Sequence, residues 1–174
     1  MRAIILNLAV SLDGFIEGPN GEYDWCFTDQ DYGMTDFLAR IDALFMGRKT
    51  YELLTNPDEP ASNYAFPDYK RYVFSNTLQE VESGFELIRG DLKAQVNGLK
   101  SQSGKDIWLF GGADLTAAFL EEGLVDELLL AIHPIILGGG KPLFTKSKER
   151  INLTLSDSKT YSSGLVSVSY KLKE

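Results

Sequence analysis

The sequence predicts one α/β domain spanning residues 1–174, with a mostly parallel sheet and an antiparallel carboxy-terminal edge. Three observations predict it. Short apolar runs alternate with segments of helical periodicity, the pattern of successive strand–helix units. The runs at residues 3–10 and 107–110 are nearly continuous apolar sequence, as in strands covered on both faces. The last third changes to alternating apolar and polar residues, as in antiparallel strands with one wetter face.

Each element follows in order. Residues 3–10 form the first strand, interrupted only by Asn7. Ser11-Leu12-Asp13-Gly14 and Gly18-Pro19-Asn20-Gly21 are turn clusters, so an irregular loop is expected next. Met34, Phe37, Leu38 and Ile41 then fall at i, i+3, i+4 and i+7, one face of a helix. Residues 43–46 are a second buried strand, running into Gly47-Arg48-Lys49-Thr50 and a short helix through Leu54. Pro57, Pro60 and Pro67 exclude regular structure up to a third strand at residues 71–75. Residues 85–88 read as a fourth strand, and Asp91 as the N-cap of a helix carrying Leu92, Val96 and Leu99 on one face, stopped near Gly104. The strand at residues 107–110 leads into Gly111-Gly112-Ala113-Asp114 and a helix through Glu122, with Leu115, Ala118 and Phe119 inward and Gly123 just past its end. Residues 127–137 are expected as one long strand before Gly138-Gly139-Gly140. Ile151, Leu153 and Leu155, then Val166, Val168, Tyr170 and Leu172, alternate on either side of a Ser162-Ser163-Gly164 turn and complete a hairpin.

Composition narrows the function. A chain of 174 residues buries about 70% of its unfolded surface and needs no staple. The formal net charge of −8 repels phosphate backbones, which argues against general nucleic-acid binding. One cysteine, Cys26, excludes a disulfide framework and a Cys-rich metal site, and without a basic neighbour in sequence it reads as inert. One histidine, His133, excludes multi-His zinc sites; lying mid-strand before Pro134, it is a poor base for a Ser-His-Asp hydrolase and reads as structural. No metal is therefore expected. The amino-terminal apolar run is too short for a signal peptide, and no stretch supplies the ~20 apolar residues of a membrane span. The expectation is a cytoplasmic protein without membrane contact, in which the Asn152-Leu153-Thr154 sequon is a chance match.

Two strand-to-helix junctions carry the strongest chemical signal. In an open α/β sheet, ligands sit beyond the carboxyl ends of the strands, where helix N-termini present unpaired N–H groups. At Gly111-Gly112-Ala113-Asp114 two glycines let the backbone approach a pyrophosphate; the alternative is a plain tight turn. At Gly47-Arg48-Lys49-Thr50 two cations and a hydroxyl open a helix, suited to phosphate oxygens; the alternative is a solvated surface pair. The G-x-G-x-x-G fingerprint is absent after every strand, and Arg48 stands where a P-loop needs glycine before its lysine. A phosphoryl-transfer enzyme is disfavoured accordingly. Ser75 and Asn76, at the end of a strand, offer either a further phosphate or adenosine contact or ordinary turn chemistry. In the early loop Asp13, Asp29 and Asp31 share a segment with Trp25, and a carboxylate against a large aromatic could be desolvated enough to donate a proton; the alternative is solvated surface acids.

Taken in order, these segments resemble the dihydrofolate reductase superfamily, most closely the branch of the reductase domain of the riboflavin-pathway deaminase/reductase. The resemblance is carried by residues 7–14, by Ala43-Leu44-Phe45-Met46-Gly47-Arg48-Lys49-Thr50-Tyr51-Glu52, by Val73-Phe74-Ser75-Asn76, and by residues 106–120 and 125–144. It implies a three-layer αβα sandwich with NADPH across the carboxyl edge of the sheet. By that similarity Gly47, Arg48, Lys49 and Thr50 meet the pyrophosphate and the 2′-phosphate, and Ser75 and Asn76 lie near the adenosine. Gly111, Gly112, Ala113, Asp114 and Leu115 wrap the diphosphate, and Val10 and Ser11 border the nicotinamide. It also implies a homodimer, which would cover the edge left by the last strands.

Two departures mark the chain off from its best-known relatives. Dihydrofolate reductases carry a Trp, a Pro and one acid in a characteristic loop, whereas Trp25 is followed by Cys26-Phe27-Thr28-Asp29-Gln30-Asp31 with no Pro. One Cys and one His cannot supply a zinc deaminase site either, so a stand-alone reductase module is expected. The expected reaction is hydride transfer from NADPH to a small pterin-like or aminopyrimidine-like heterocycle, or to a carbonyl or imine. Trp25 would shield the site, and Asp13, Asp29 or Asp31 would place the proton. The alternative is a non-catalytic, dimeric nucleotide-binding module of the same fold.

Overall fold

In a computed structural model, which describes residues 1–59, 66–145 and 149–172, the order is β1 (Ile4–Ser11), β2 (Phe15–Glu17), α1 (Met34–Arg40), β3 (Ile41–Gly47), α2 (Arg48–Thr55), β4 (Lys70–Phe74) and β5 (Glu86–Ile88). There follow α3 (Leu92–Lys100), β6 (Asp106–Gly111), α4 (Ala113–Glu121), β7 (Glu127–His133), β8 (Lys141–Pro142), β9 (Leu153–Thr160) and β10 (Val166–Leu172). Pro60, expected to help break regular structure, lies outside the described residues.

An eight-stranded sheet runs β5-β4-β3-β6-β1-β7-β10-β9. The strands from β5 to β7 are mutually parallel, and β10 is antiparallel to both of its neighbours. The chain thus has the expected mostly parallel sheet with an antiparallel carboxy-terminal hairpin.

The continuous apolar runs follow from burial on both faces, because successive side chains in a strand point to opposite sides. Ile4, Leu6, Ala43, Phe45, Tyr72, Ile107 and Leu109 pack on one face with Val96 and Leu99 of α3 and Phe119 of α4. The intervening residues Ile5, Leu44, Met46, Val73 and Trp108 pack on the other with Phe37 of α1 and Tyr51 of α2. That alternation produces the three layers. Phe45 and Phe119, both fully buried, meet edge to face with ring centroids 6.0 Å apart.

Four details differ from the sequence reading, each for a local reason. Ile41 opens β3 instead of completing the helix face, since α1 passes directly into the strand at Arg40. β7 stops at His133, because Pro134 has no N–H with which to continue the ladder. Ile151 precedes β9, which begins at Leu153. The loop after β1 also holds a short strand: β2 pairs antiparallel with β8, Glu17 opposite Lys141. Gly140 makes this pairing possible, as a Cβ there would lie 2.1 Å from the Glu17 carbonyl oxygen, at a φ of +130°. No helix among the described residues is long and apolar enough to cross a membrane.

Parallel strands end together. Ser11, Gly47, Phe74, Gly111 and His133 therefore lie along one edge of the sheet, where the chain turns out of β1, β3, β4, β6 and β7.

Candidate functional site

Two helices begin at this edge with glycine at the N-cap. Gly47 precedes α2 and Gly112 precedes α4, and neither helix start is capped by a side chain. At α3, by contrast, Asp91 accepts the N–H of Ala94 at 2.7 Å. The first intrahelical bond of α4 runs from Thr116 N–H to the Gly112 carbonyl at 3.0 Å. This leaves the N–H groups of Ala113, Asp114 and Leu115 ahead of the helical bonding pattern, with the positive end of the helix dipole.

The two helix starts face one groove of about 320 Å³, lined by Gly47, Arg48, Lys49, Thr50, Gly112, Ala113, Asp114 and Leu115 together with Leu53, Phe74 and Ala118. Glu17 and Lys141 of the β2–β8 pair complete its rim. A Cβ at Gly112 would stand 3.3 Å from Thr50 Oγ1, and one at Gly47 would stand 3.5 Å from Leu115 Cβ. Glycine at 112 thus leaves room beside Thr50, whereas a Cβ at position 47 would make only ordinary contact with Leu115. The Gly111–Gly112 peptide is cis.

Charge in the groove departs from the acidic whole: three cations and two carboxylates line it. Arg48 and Lys49 occupy the first turn of α2, where the helix dipole disfavours positive charge by ~0.3–1 kcal/mol each. Each is held by an exposed carboxylate, Arg48 by Glu52 at 2.9 Å and Lys49 by Asp114 at 3.2 Å. Exposed pairs of this kind are worth ~0–1 kcal/mol, so they exchange readily for a better anion.

The other anticipated residues divide. Val10 and Ser11 are buried at the end of β1, beside Ile132 and His133 of β7. Ser11 Oγ donates to Asp13 at 2.7 Å and accepts the Phe15 N–H at 2.9 Å. The Asp13 carboxylate also accepts N–H bonds from Leu137 at 3.1 Å and Gly138 at 2.8 Å, tying the early loop to the glycine run. These donors, the Ser11 hydroxyl foremost, hold its pKa below the usual carboxylate value.

Asp31 accepts the Thr35 hydroxyl at 2.6 Å and the N–H groups of Thr35 and Gly33 at 3.0 Å, closing the turn that starts α1; its pKa is lowered, first of all by that hydroxyl. Asp29 accepts the Tyr32 hydroxyl at 2.7 Å. Trp25 donates its indole N–H to the Glu22 carbonyl at 3.3 Å and packs edge-on against the His133 ring. Ser75 and Asn76 do not line the groove. Ser75 Oγ accepts the Thr77 and Leu78 N–H groups, and Asn76 Oδ1 accepts the Gly90 N–H, so both engage in turns beyond β4.

Sequence reasoning undervalued two features. His133 is not mid-strand but the last residue of β7, 3% exposed and opposite Ser11, at the carboxyl edge of the sheet. Lys141 enters the groove through a strand pair that periodicity could not reveal; the signal available was the triple glycine just before it. The described residues hold no group of three or more His, Cys, Asp or Glu side chains that could bind a metal ion.

Comparison with known proteins agrees with this architecture. The family model for the RibD C-terminal domain matches residues 2–167. The Bacillus subtilis (strain 168) "Uncharacterized protein YyaP" is 48% identical over 177 residues, covering 97% of this chain and 94% of the relative. The crystal structure of a "Putative riboflavin biosynthesis protein" from Shewanella sp. PV-4 superposes with a TM-score of 0.84 at 29% identity, covering 99% of this chain and 100% of that one. Dihydrofolate reductase from Enterococcus faecalis, complexed with NADP(H), has the same fold at 12% identity, with a TM-score of 0.71 and coverage of 99% and 97%.

Proposed function

The chain belongs to the family of RibD C-terminal domains and has a reductase fold, and on that premise we propose that it is an NADPH-dependent reductase of small heterocyclic substrates. One observation carries the reading: the uncapped starts of α2 and α4 converge on a single groove with Arg48, Lys49 and Lys141 around it. Two helix N-termini and three cations form a donor set for a diphosphate and a 2′-phosphate. The fit to such a group is supported by the glycines, since a Cβ at Gly112 would crowd Thr50.

In this reading the N–H groups of Ala113, Asp114 and Leu115 hold the diphosphate, with Thr50 Oγ1 as a further donor. Arg48 or Lys49 releases its carboxylate partner to take the 2′-phosphate. Gly47 and Gly111 allow close approach of the backbone, and Val10 and Ser11 form the wall on which the nicotinamide rests. Ser75 and Asn76 mark the adenosine end beyond Phe74. Bound NADPH supplies the hydride. The protein orients the acceptor, and Trp25 excludes water above it. Asp13 and Asp31 each accept three hydrogen bonds that fix the loop, which leaves Asp29, bound among the described residues only by the Tyr32 hydroxyl, as the acid with oxygen free to place the proton.

The test is a calorimetric titration with NADPH and NADH. NADPH is expected to bind at least tenfold more tightly, and Arg48→Ala combined with Lys49→Ala to lower its affinity ~100-fold, the loss of one or two charge-assisted bonds. Equal, weak binding of both nucleotides contradicts the proposal. One observation favours the alternative of a nucleotide-binding module without turnover: two of the three candidate acids each spend their oxygens on three hydrogen bonds within the loop region. NADPH oxidation in the presence of pterins or aminopyrimidines separates the two readings.

We also propose a homodimer. β9 is exposed along its whole length and forms the outer edge of the sheet. Its Leu153 and Leu155 side chains are exposed, as are Ile151 and Phe144, and Phe144, Ile151 and Leu153 line an apolar groove of about 220 Å³. Sedimentation should give a dimer that Leu155→Glu converts to monomer; a monomeric wild-type protein at micromolar concentration contradicts this.

A further inference from the structure

The chain's one histidine makes a contact that no part of the proposed cofactor chemistry uses. His133 Nε2 accepts the backbone N–H of Phe27 at 3.1 Å, and Nδ1 lies 3.0 Å from the Ala131 carbonyl oxygen. The ring is flanked by Trp25, edge-on at 5.3 Å, and by Phe27, tilted at 5.0 Å. A carbonyl oxygen only accepts, and a backbone N–H only donates. Both bonds therefore exist together in one form of the imidazole, neutral with its proton on Nδ1. A second proton, on Nε2, would set two N–H groups against each other.

We infer that neutral His133 is a positioning residue, a latch that holds the segment carrying Trp25 and Phe27 over the carboxyl ends of β1 and β7, and that protonation releases it. Burial lowers the pKa of the imidazole from its ordinary value of 6.5, which keeps the latch closed at neutral pH. The charged groups around it do not pair with the ring. On the loop side stand Asp24 and Cys26, the thiol pushed up to about 11 by burial and hence uncharged, with Tyr32 stacked on Phe27. On β1, Ser11 faces His133, and its neighbour Asp13 is turned to the Leu137 and Gly138 amides. On β10, Val166 and Ser167 pair with Ile132 and Ala131 and carry no charge. Among the described residues His133 forms no ion pair.

The latch stands on its own geometry; its effect on turnover rests on the reductase reading. None of His133, Trp25 and Phe27 lines the phosphate groove, so the two can be tested apart. With one histidine in the chain, nitrogen NMR of untagged protein reports a single imidazole. The expected result is the Nδ1–H tautomer and a midpoint below 6.5, with the Phe27 amide and Trp25 indole signals moving at that same midpoint.

Two variants isolate the bond from the ring. His133→Phe keeps a flat ring without an acceptor, and should speed exchange of the Phe27 amide at least tenfold above the imidazole midpoint, and bring no further increase below it, where the wild-type latch is already released. His133→Gln offers a side-chain oxygen that does not titrate, and should restore slow exchange and abolish its dependence on imidazole protonation. If the enzyme turns over, the Phe variant should raise the KM for the heterocycle while NADPH affinity stays unchanged. Absence of turnover in the wild-type protein would count against the reductase reading and leave the NMR test intact. The latch is overturned by an Nε2–H tautomer, by a Phe27 amide indifferent to the imidazole titration, or by a Gln variant as loose as the Phe variant.

Discussion

The two edges of the parallel sheet carry charge in opposite ways. At the amino edge Arg2 is buried against Asp42, Arg40 joins Asp106 at 2.8 Å and Glu127 at 2.7 Å, and Lys100 joins Asp126 at 2.7 Å. The same carboxylates accept backbone N–H groups: Asp126 from Ile4, Asp106 from Ala3 and Asp42 from Lys105. Each of these charges has a structural partner, and the Glu127 carboxylate beside Arg40 raises the guanidinium pKa above its ordinary value. At the carboxyl edge Arg48 and Lys49 are exposed, sit against a helix dipole, and are held by single solvated carboxylates. One edge is closed by its ions. The other presents them.

Substitutions should therefore have opposite readouts at the two edges. Arg2→Ala leaves Asp42 without its buried partner and is expected to cost about 3 kcal/mol in chemical denaturation, with NADPH affinity unchanged. Arg48→Ala with Lys49→Ala should do the reverse, with the loss of binding described above and a stability change within about 0.5 kcal/mol. A large loss of stability in that double variant would mean that the groove cations are structural, like those of the amino edge. Gly112→Ala introduces a methyl group 3.3 Å from Thr50 Oγ1 and should weaken NADPH severalfold in the same titration, with the fold intact by circular dichroism.

The smallest effect concerns acid. Asp13 and Asp31 have folded pKa values lowered from 3.8, so the unfolded chain binds protons first as pH falls. Their contribution is complete above about pH 4 and is lost as pH falls through the lowered values. Asp13→Asn should flatten the acid limb of a stability–pH profile. His133 adds a second slope of the same sign at higher pH: with its folded pKa lowered from 6.5, stability declines as pH falls below that value.

The carboxyl edge was legible in the residues, whereas the ion pairs of the amino edge were not. Continuous apolar runs marked the strands covered on both faces, Asp91 marked a capped helix start, and Gly47-Arg48-Lys49-Thr50 with Gly111-Gly112 marked two that are not capped by side chains. What stayed hidden depends on contacts between distant segments. Pairing of β2 with β8 joins strands of three and two residues, too short for any periodicity to register. The place of His133 depends on a strand ending one residue before Pro134 and on register with Ser11, and its partner Phe27 lies 106 residues away. Asp13 and Asp31 looked like candidate acids because sequence shows a carboxylate but not its donors; the structure supplies three donors to each.

The starts of α2 and α4 are proposed to grip a phosphorylated dinucleotide together. Backbone amide NMR with and without saturating NADPH tests it most directly. The largest shifts and the strongest protection from exchange are expected on the amides of Arg48, Lys49, Thr50, Ala113, Asp114 and Leu115, with the amino edge unmoved. Shifts centred on α3 or on Arg2 and Arg40, or none at α4, would contradict it.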